Sequence, residues 1–202
     1  LLSADNAIAL ASLTKSLDSP LLRSKALNIG ITISLLFRIF LILLSNILLK
    51  FIIIRIFAGL YLIYLFISNV FLSSESDIQD SGNDNKNNNF KFLKIVALLS
   101  LTDFAFSIDS ITTAVAISDQ YILIIFGAII GVLALRFTSG IFLRLLEQFL
   151  RLETAGYIAI LIVGIKLLLN TLITETILPD YYFYILILIS FIWGLSKRDQ
   201  IT

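Results

Sequence analysis

The run LNIGITISLLFRIFLILLSNILL (27–49) carries a single charged residue, Arg38, and no proline. About 20 apolar residues cross the hydrocarbon core of a bilayer. A chain there has no water for its backbone N–H and C=O groups, so a run of this length crosses as a helix. Similar runs recur and divide the chain into seven apolar segments: a partial one over 1–13, then 27–49, 51–72, 92–118, 121–143, 157–173 and 182–195. The opening LLSADNAIALASL reads as the second half of a helix, with neither the basic start nor the cleavage site of a signal peptide. The expected fold is an all-α polytopic membrane protein of seven transmembrane helices, the first truncated.

Composition agrees. Charged residues are 14% and hydrophobic residues 58% of the chain, against about 25% charged in a soluble domain. A net charge of +1 offers no basic excess for nucleic acid, so none is expected as a partner. Cys, His and Met are absent. That excludes disulfides, thiolate or imidazole metal sites and a His general base, and no phosphate loop is present, so no enzymatic activity is expected.

Basic residues set the orientation. Lys15, Arg23, Lys25, Lys86, Lys91, Lys94, Arg144, Arg151, Lys197 and Arg198 fall in alternate connections and the tail, while the opposite connections hold only Lys50 and Arg55. The N-terminus is expected outside or in a lumen and the C-terminus in the cytoplasm or stroma. Tyr181, Tyr182 and Trp193 read as interfacial anchors. Arg38 and Arg136 lie too deep to reach water and need partners, whereas Lys166 is expected to reach an interface on its long stem.

The chain also repeats itself. SADNAIAL (3–10) resembles SIDSITTA (107–114), GITISLLFRIF (30–40) resembles GAIIGVLALRF (127–137), and FAGLYLIYLF (57–66) resembles IVGIKLLLNT (162–171). The order is shared, and a repeat of three spans reverses its direction in the membrane. Two inverted three-helix repeats plus a C-terminal helix are therefore expected, with a substrate site near the midplane where the halves meet. The first repeat covers 1–72 and the second 91–173. The polar stretch 73–90 between them, SSESDIQDSGNDNKNNN and the residue after it, reads as a flexible loop, and 174–202 holds the last helix and tail.

Inside these runs stand carboxylates. Each costs roughly 2.5–3.5 kcal/mol at the bilayer centre, so Asp5, Asp103 and Asp109 facing lipid would cost on the order of 8–10 kcal/mol. They must face the bundle interior. Asp103, Ser107 and Ser110 share a helical stripe with Ser100 close by, while Asp109 lies roughly 9 Å along the axis from Asp103 and about 120° around it. Either the helix unwinds near 107–110, or the two aspartates serve different points on a path. The repeat favours the second: Asp5 and Asp109 are equivalents that should converge, with Asn6, Ser107 and Ser110 as neutral oxygen donors and Asp103 on the way in or out. Such an all-oxygen set suits a hard divalent cation, Mn²⁺, Mg²⁺ or Ca²⁺, as substrate. The competing reading makes these aspartates structural partners of Arg38 and Arg136.

LLSADNAIAL and TDFAFSIDSITTAVAIS together resemble the TerC family of integral membrane proteins, and GLYLIYL and ALNIGITISLLFRIF resemble it too. The family pairs an S-x-D-N motif in its first core helix, matched by Asp5 and Asn6, with a D-x-x-F-[SA]-x-D-S motif in the fourth, matched by Asp103, Ser107, Asp109 and Ser110. The chain departs from the family at Ser100, where members often carry an acid. The resemblance implies a seven-helix fold of inverted repeats in a superfamily of exporters, with members linked to manganese export or, in chloroplasts, to thylakoid biogenesis and photosystem assembly.

Two functions follow as expectations. One is a secondary exporter of Mn²⁺ or a similar divalent cation in a plastid thylakoid or bacterial-type inner membrane; the abundance of Ile, Asn, Phe and Lys hints at an AT-rich plastid gene. The other is a non-transporting membrane subunit or assembly factor, with structural carboxylates and other membrane subunits as partners. Oxyanion handling fits less well, because acidic groups repel an anion.

Overall fold

The computed structural model describes residues 4–14, 17, 19–44, 51–72, 84–117, 120–173 and 179–198, the side chains of 4–8, 71–72, 84–89, 116, 139 and 180 excepted. Among the described residues seven helices stand in this order: α1 (Ala4–Thr14), α2 (Pro20–Leu43), α3 (Ile52–Ile67, continued by a π-turn at Ser68–Leu72), α4 (Asp84–Ile117), α5 (Tyr121–Gln148), α6 (Leu152–Leu172) and α7 (Asp180–Gly194). The chain is an all-helical polytopic membrane protein. Of the described helices, α2 to α6 are long and apolar enough to cross a membrane; α7 is a shorter apolar helix. Residues 84–90 of the expected loop are helical and extend α4, while 73–83 lie outside the described residues.

Local signals place the helix ends. Pro20 opens α2, where its missing N–H would have had no helical partner anyway. Pro179 stands at the N-cap of α7. At the π-turn, Asn69 Nδ2 donates to the Leu65 carbonyl at 2.9 Å and Oδ1 accepts from Tyr157 Oη at 3.4 Å, tying the end of α3 to α6.

Each outer helix buries one stripe and leaves large apolar side chains on the other. In α7, Phe183, Ile187, Ser190 and Gly194 are buried while Tyr184, Ile185, Leu188, Ile189 and Ile192 are exposed. That is a lipid-facing surface around a packing face, not an aqueous surface. Ala9 to Thr14 of α1 are all buried, and the small Ala and Ser side chains among them let neighbouring backbones approach.

The pairings follow a pattern. α2 packs on α4 and α1 on α5; α3 packs on α4 and α1 on α6; α1 also meets α4, α2 meets α5 and α3 meets α6. Exchanging the first three helices with the next three maps these pairings onto themselves. A close approach lies where α3 crosses α6. A Cβ on Gly59 would stand 2.7 Å from Leu168 Cγ and 3.1 Å from the Gly164 carbonyl oxygen. One on Gly164 would stand 3.1 Å from the Gly59 carbonyl oxygen and 3.2 Å from Ile63 Cγ1. Gly59 and Gly164 are the residues that the internal alignment of 57–66 with 162–171 makes equivalent, so each glycine receives the other's backbone.

The alignment of 30–40 with 127–137 needs a correction at its arginines. In that register Leu27, Ile31 and Ser34 of α2 correspond to Ile124, Ala128 and Gly131 of α5, and all six are buried. Arg38 then corresponds to buried Leu135, not to Arg136, which is exposed one position further on. One residue turns a helix by about 100°. Arg38 thus points into the bundle and Arg136 away from it.

Three polar contacts gather one end of the bundle. Arg23 pairs with Glu147 at 3.4 Å, Phe149 forms an isolated antiparallel bridge with Arg198, and Arg151 reaches Ser196 Oγ at 3.3 Å and the ring of Trp193 at 5.4 Å. Arg23, residues 147–151 and residues 193–198 therefore share an end.

Candidate functional site

α4 carries the site because it is the helix touched by α1, α2 and α3 and because its polar residues fall at helical spacing. It runs unbroken through 107–110, so of the two geometries open to the sequence the unwound helix is not seen. Ser100, Thr102, Asp103 and Ser107 are buried, and Asp103 lies near the middle of the span Phe90–Val115. Hydroxyls along α4 return to their own helix: Ser100 Oγ donates to the Val96 carbonyl at 2.9 Å, Thr102 Oγ1 to that of Leu98 at 2.7 Å, Ser110 Oγ to that of Phe106 at 3.3 Å and Thr113 Oγ1 to that of Asp109 at 3.0 Å.

Asp103 belongs to Arg38. The guanidinium Nη2 donates to Oδ1 at 3.2 Å and to Oδ2 at 3.1 Å, and Nε donates to Ser107 Oγ at 3.0 Å. The Ser107 hydroxyl donates in turn to Asp103 Oδ2 at 3.5 Å. The side chains are 1% and 3% exposed, so water has no access to either charge. This is a neutral, closed brace from α2 to α4. Arginine suits it because a planar fork holds a carboxylate at little further loss of freedom. The expectation that Arg38 is a structural partner is met for Asp103.

Asp109, on another face of α4, belongs to Lys166. The ammonium Nζ donates to Oδ2 at 3.0 Å, with side chains 8% and 20% exposed. Lys166 therefore does not reach an interface: α6 is the helix that packs on α1, α3 and α7, and its lysine is turned inward onto a carboxylate. Nζ also lies 5.3 Å from the centroid of the Tyr184 ring on α7. This lysine and tyrosine were not among the sequence-derived site residues. The available signal was a lone lysine in an apolar run, which needs an opposite charge nearby when it faces inward.

The expected residues therefore divide. Asp103 and Ser107 come together on Arg38, Asp109 stands with Lys166, and Ser110 is half-buried beside it on α4. The side chains of Asp5 and Asn6 lie outside the described residues, although the backbone of α1 that carries them packs against α4. Among the described residues no three carboxylates gather into a ready-made metal site. What the site offers is one sealed ion pair and one partly accessible one. The accessible carboxylate is held by a flexible ammonium that a second cation could replace.

Comparison with known proteins agrees with this architecture. The family described as "Integral membrane protein TerC family" matches residues 1–199. The "Uncharacterized membrane protein YceF" of Bacillus subtilis (strain 168) is 32% identical over the whole of this chain, which spans 80% of that relative. The "Uncharacterized membrane protein YkoY" of the same organism is 29% identical over 85% of this chain and 57% of its own length. No solved structure matches.

Proposed function

Because the chain belongs to the TerC family of integral membrane proteins, which is associated with metal-ion transport and resistance, we propose that it exports a divalent metal cation, with Mn²⁺ the leading substrate. The observation that carries this reading is Asp109. Its carboxylate stands inside an apolar span, is 20% exposed, and is held by a lysine at 3.0 Å. A carboxylate kept in that setting at a cost of a few kcal/mol is a functional group by default.

In this reading Asp109 and Ser110 supply oxygen ligands from α4, and Asp5 and Asn6 supply theirs from α1, which packs against it. Asp103 and Ser107, engaged by Arg38, hold α2 and α4 in place at the edge of the site. Two inverted halves give the cation a path between their shared faces, and the reciprocal seating of Gly59 and Gly164 supports that arrangement. Mn²⁺, Mg²⁺ and Ca²⁺ all suit carboxylate and hydroxyl oxygens, while a set without His, Cys or Met does not favour Cu⁺ or Zn²⁺. The basic end of the bundle faces the cytoplasm or stroma, and the membrane is a bacterial-type inner membrane, in line with the bacterial relatives, or a thylakoid.

Mn²⁺ efflux from cells or loaded vesicles tests the reading. Asp109→Asn keeps the shape of the side chain and removes its charge, and efflux should fall to background; equal efflux from both proteins would refute it. One observation favours the second reading, a non-transporting subunit or assembly factor: both described intramembrane carboxylates are already neutralised. That reading is favoured by stable co-purification with other membrane subunits together with efflux that ignores Asp109.

A further inference from the structure

Arg38 and Lys166 neutralise neighbouring carboxylates in different ways, and the difference has a consequence for selectivity. Arg38 holds Asp103 by two hydrogen bonds and Ser107 by a third, and is 1% exposed. Lys166 Nζ donates to Asp109 Oδ2 at 3.0 Å and is 8% exposed, and in the same position its ammonium has an aromatic face at 5.3 Å, within the ~6 Å reach of a cation–π contact. A lysine ammonium is a compact charge on a flexible four-carbon stem, so it can leave the carboxylate and keep the ring it already touches without a backbone movement.

The fold does not require the lysine. In the register that superposes Gly59 on Gly164, position 166 corresponds to Tyr61, whose hydroxyl meets Thr102 Oγ1 on α4 at 3.2 Å. The first half thus fills the equivalent place with a neutral side chain. The cation at 166 is a local addition opposite Asp109.

We infer that Lys166 is a tethered competitor for the transported cation: its ammonium occupies Asp109 between transport events, yields the carboxylate to a divalent ion and remains on the ring of Tyr184. This rests on the reading of Asp109 as a cation ligand. The valence threshold follows from charge. A monovalent ion brings Asp109 no more charge than the ammonium already there, and the ammonium has the advantage of being tethered. A divalent ion brings twice that charge and displaces it. Lys166 therefore selects divalent over monovalent cations at a site whose oxygens alone would accept both.

The test is Mn²⁺ binding to the purified full chain in lipid nanodiscs, followed by calorimetry and by the Mn²⁺ electron paramagnetic resonance signal, with Na⁺ as competitor. Lys166→Met should tighten Mn²⁺ binding at least about tenfold, since contacting charge pairs couple by more than the ~1.4 kcal/mol that tenfold represents. It should also make Mn²⁺ binding sensitive to Na⁺. Lys166→Arg, which keeps the charge and adds a second hydrogen-bond donor, should weaken Mn²⁺ binding. Tyr184→Leu, on the exposed face of α7, should weaken it severalfold by removing the ring that keeps the displaced ammonium. Wild-type affinity in both Lys166 variants, with binding still lost in Asp109→Asn, overturns the competitor role and leaves the cation site standing. Binding that is absent from the wild type, or that ignores Asp109→Asn, overturns the site and the competitor together.

Discussion

Replacing Arg38 by Leu should be among the most damaging single changes in this protein, and replacing Asp103 along with it should undo most of the damage. The guanidinium is the main partner of a carboxylate that is 2% exposed near the middle of an apolar span. Without it, Asp103 keeps neutral hydroxyls, the Ser107 one at 3.5 Å, and no opposite charge among its described contacts. Breaking a buried pair on one side costs about 3–5 kcal/mol, and the insertion cost of one intramembrane charge, roughly 2.5–3.5 kcal/mol, is of the same size. Removing both partners deletes two charges that had to be desolvated, and such replacements range from neutral to stabilising by about 1–4 kcal/mol. Reversible unfolding in mixed micelles of wild type, Arg38→Leu, Asp103→Leu and the double variant gives the coupling energy, expected to be about 3 kcal/mol or more. A coupling below about 0.5 kcal/mol, typical of exposed pairs, would refute the claim that a closed ion pair joins α2 to α4.

Gly59→Leu should destabilise the α3–α6 crossing by about 1–3 kcal/mol through overpacking, because its Cβ alone would meet Leu168 Cγ at 2.7 Å. Gly140→Leu, with nothing within 4 Å of its Cβ, is the control; equal loss of thermal stability in detergent for the two would count against the crossing. Arg151→Ala should cost only about 0.5–1 kcal/mol but should change the fluorescence of Trp193, the single tryptophan of the chain, over whose ring the guanidinium sits at 5.4 Å. An unaltered spectrum would show that the stacking is not populated.

The apolar runs were enough to establish that this chain crosses a membrane as a helical bundle, because a bilayer leaves a backbone of that length no alternative to internal hydrogen bonding. They placed the seven described helices, and erred most at the starts of α2 and α4, which lie seven and eight residues earlier, the latter extending back to Asp84 through a polar stretch. The motif of 103–110 was equally legible, since charge in an apolar run is conspicuous and must face inward. Sequence could not say what the aspartates face, which depends on the rotation of each helix about its axis. Arg38 and Arg136 look alike in the aligned segments, yet one residue of offset sends the first to Asp103 and leaves the second exposed. Lys166, read as a surface-seeking stem, turns inward because α6 is enclosed by α1, α3 and α7. Periodicity reports which residues share a face; only the packing of the helices decides which face meets which, and so which carboxylate is sealed and which stays partly exposed.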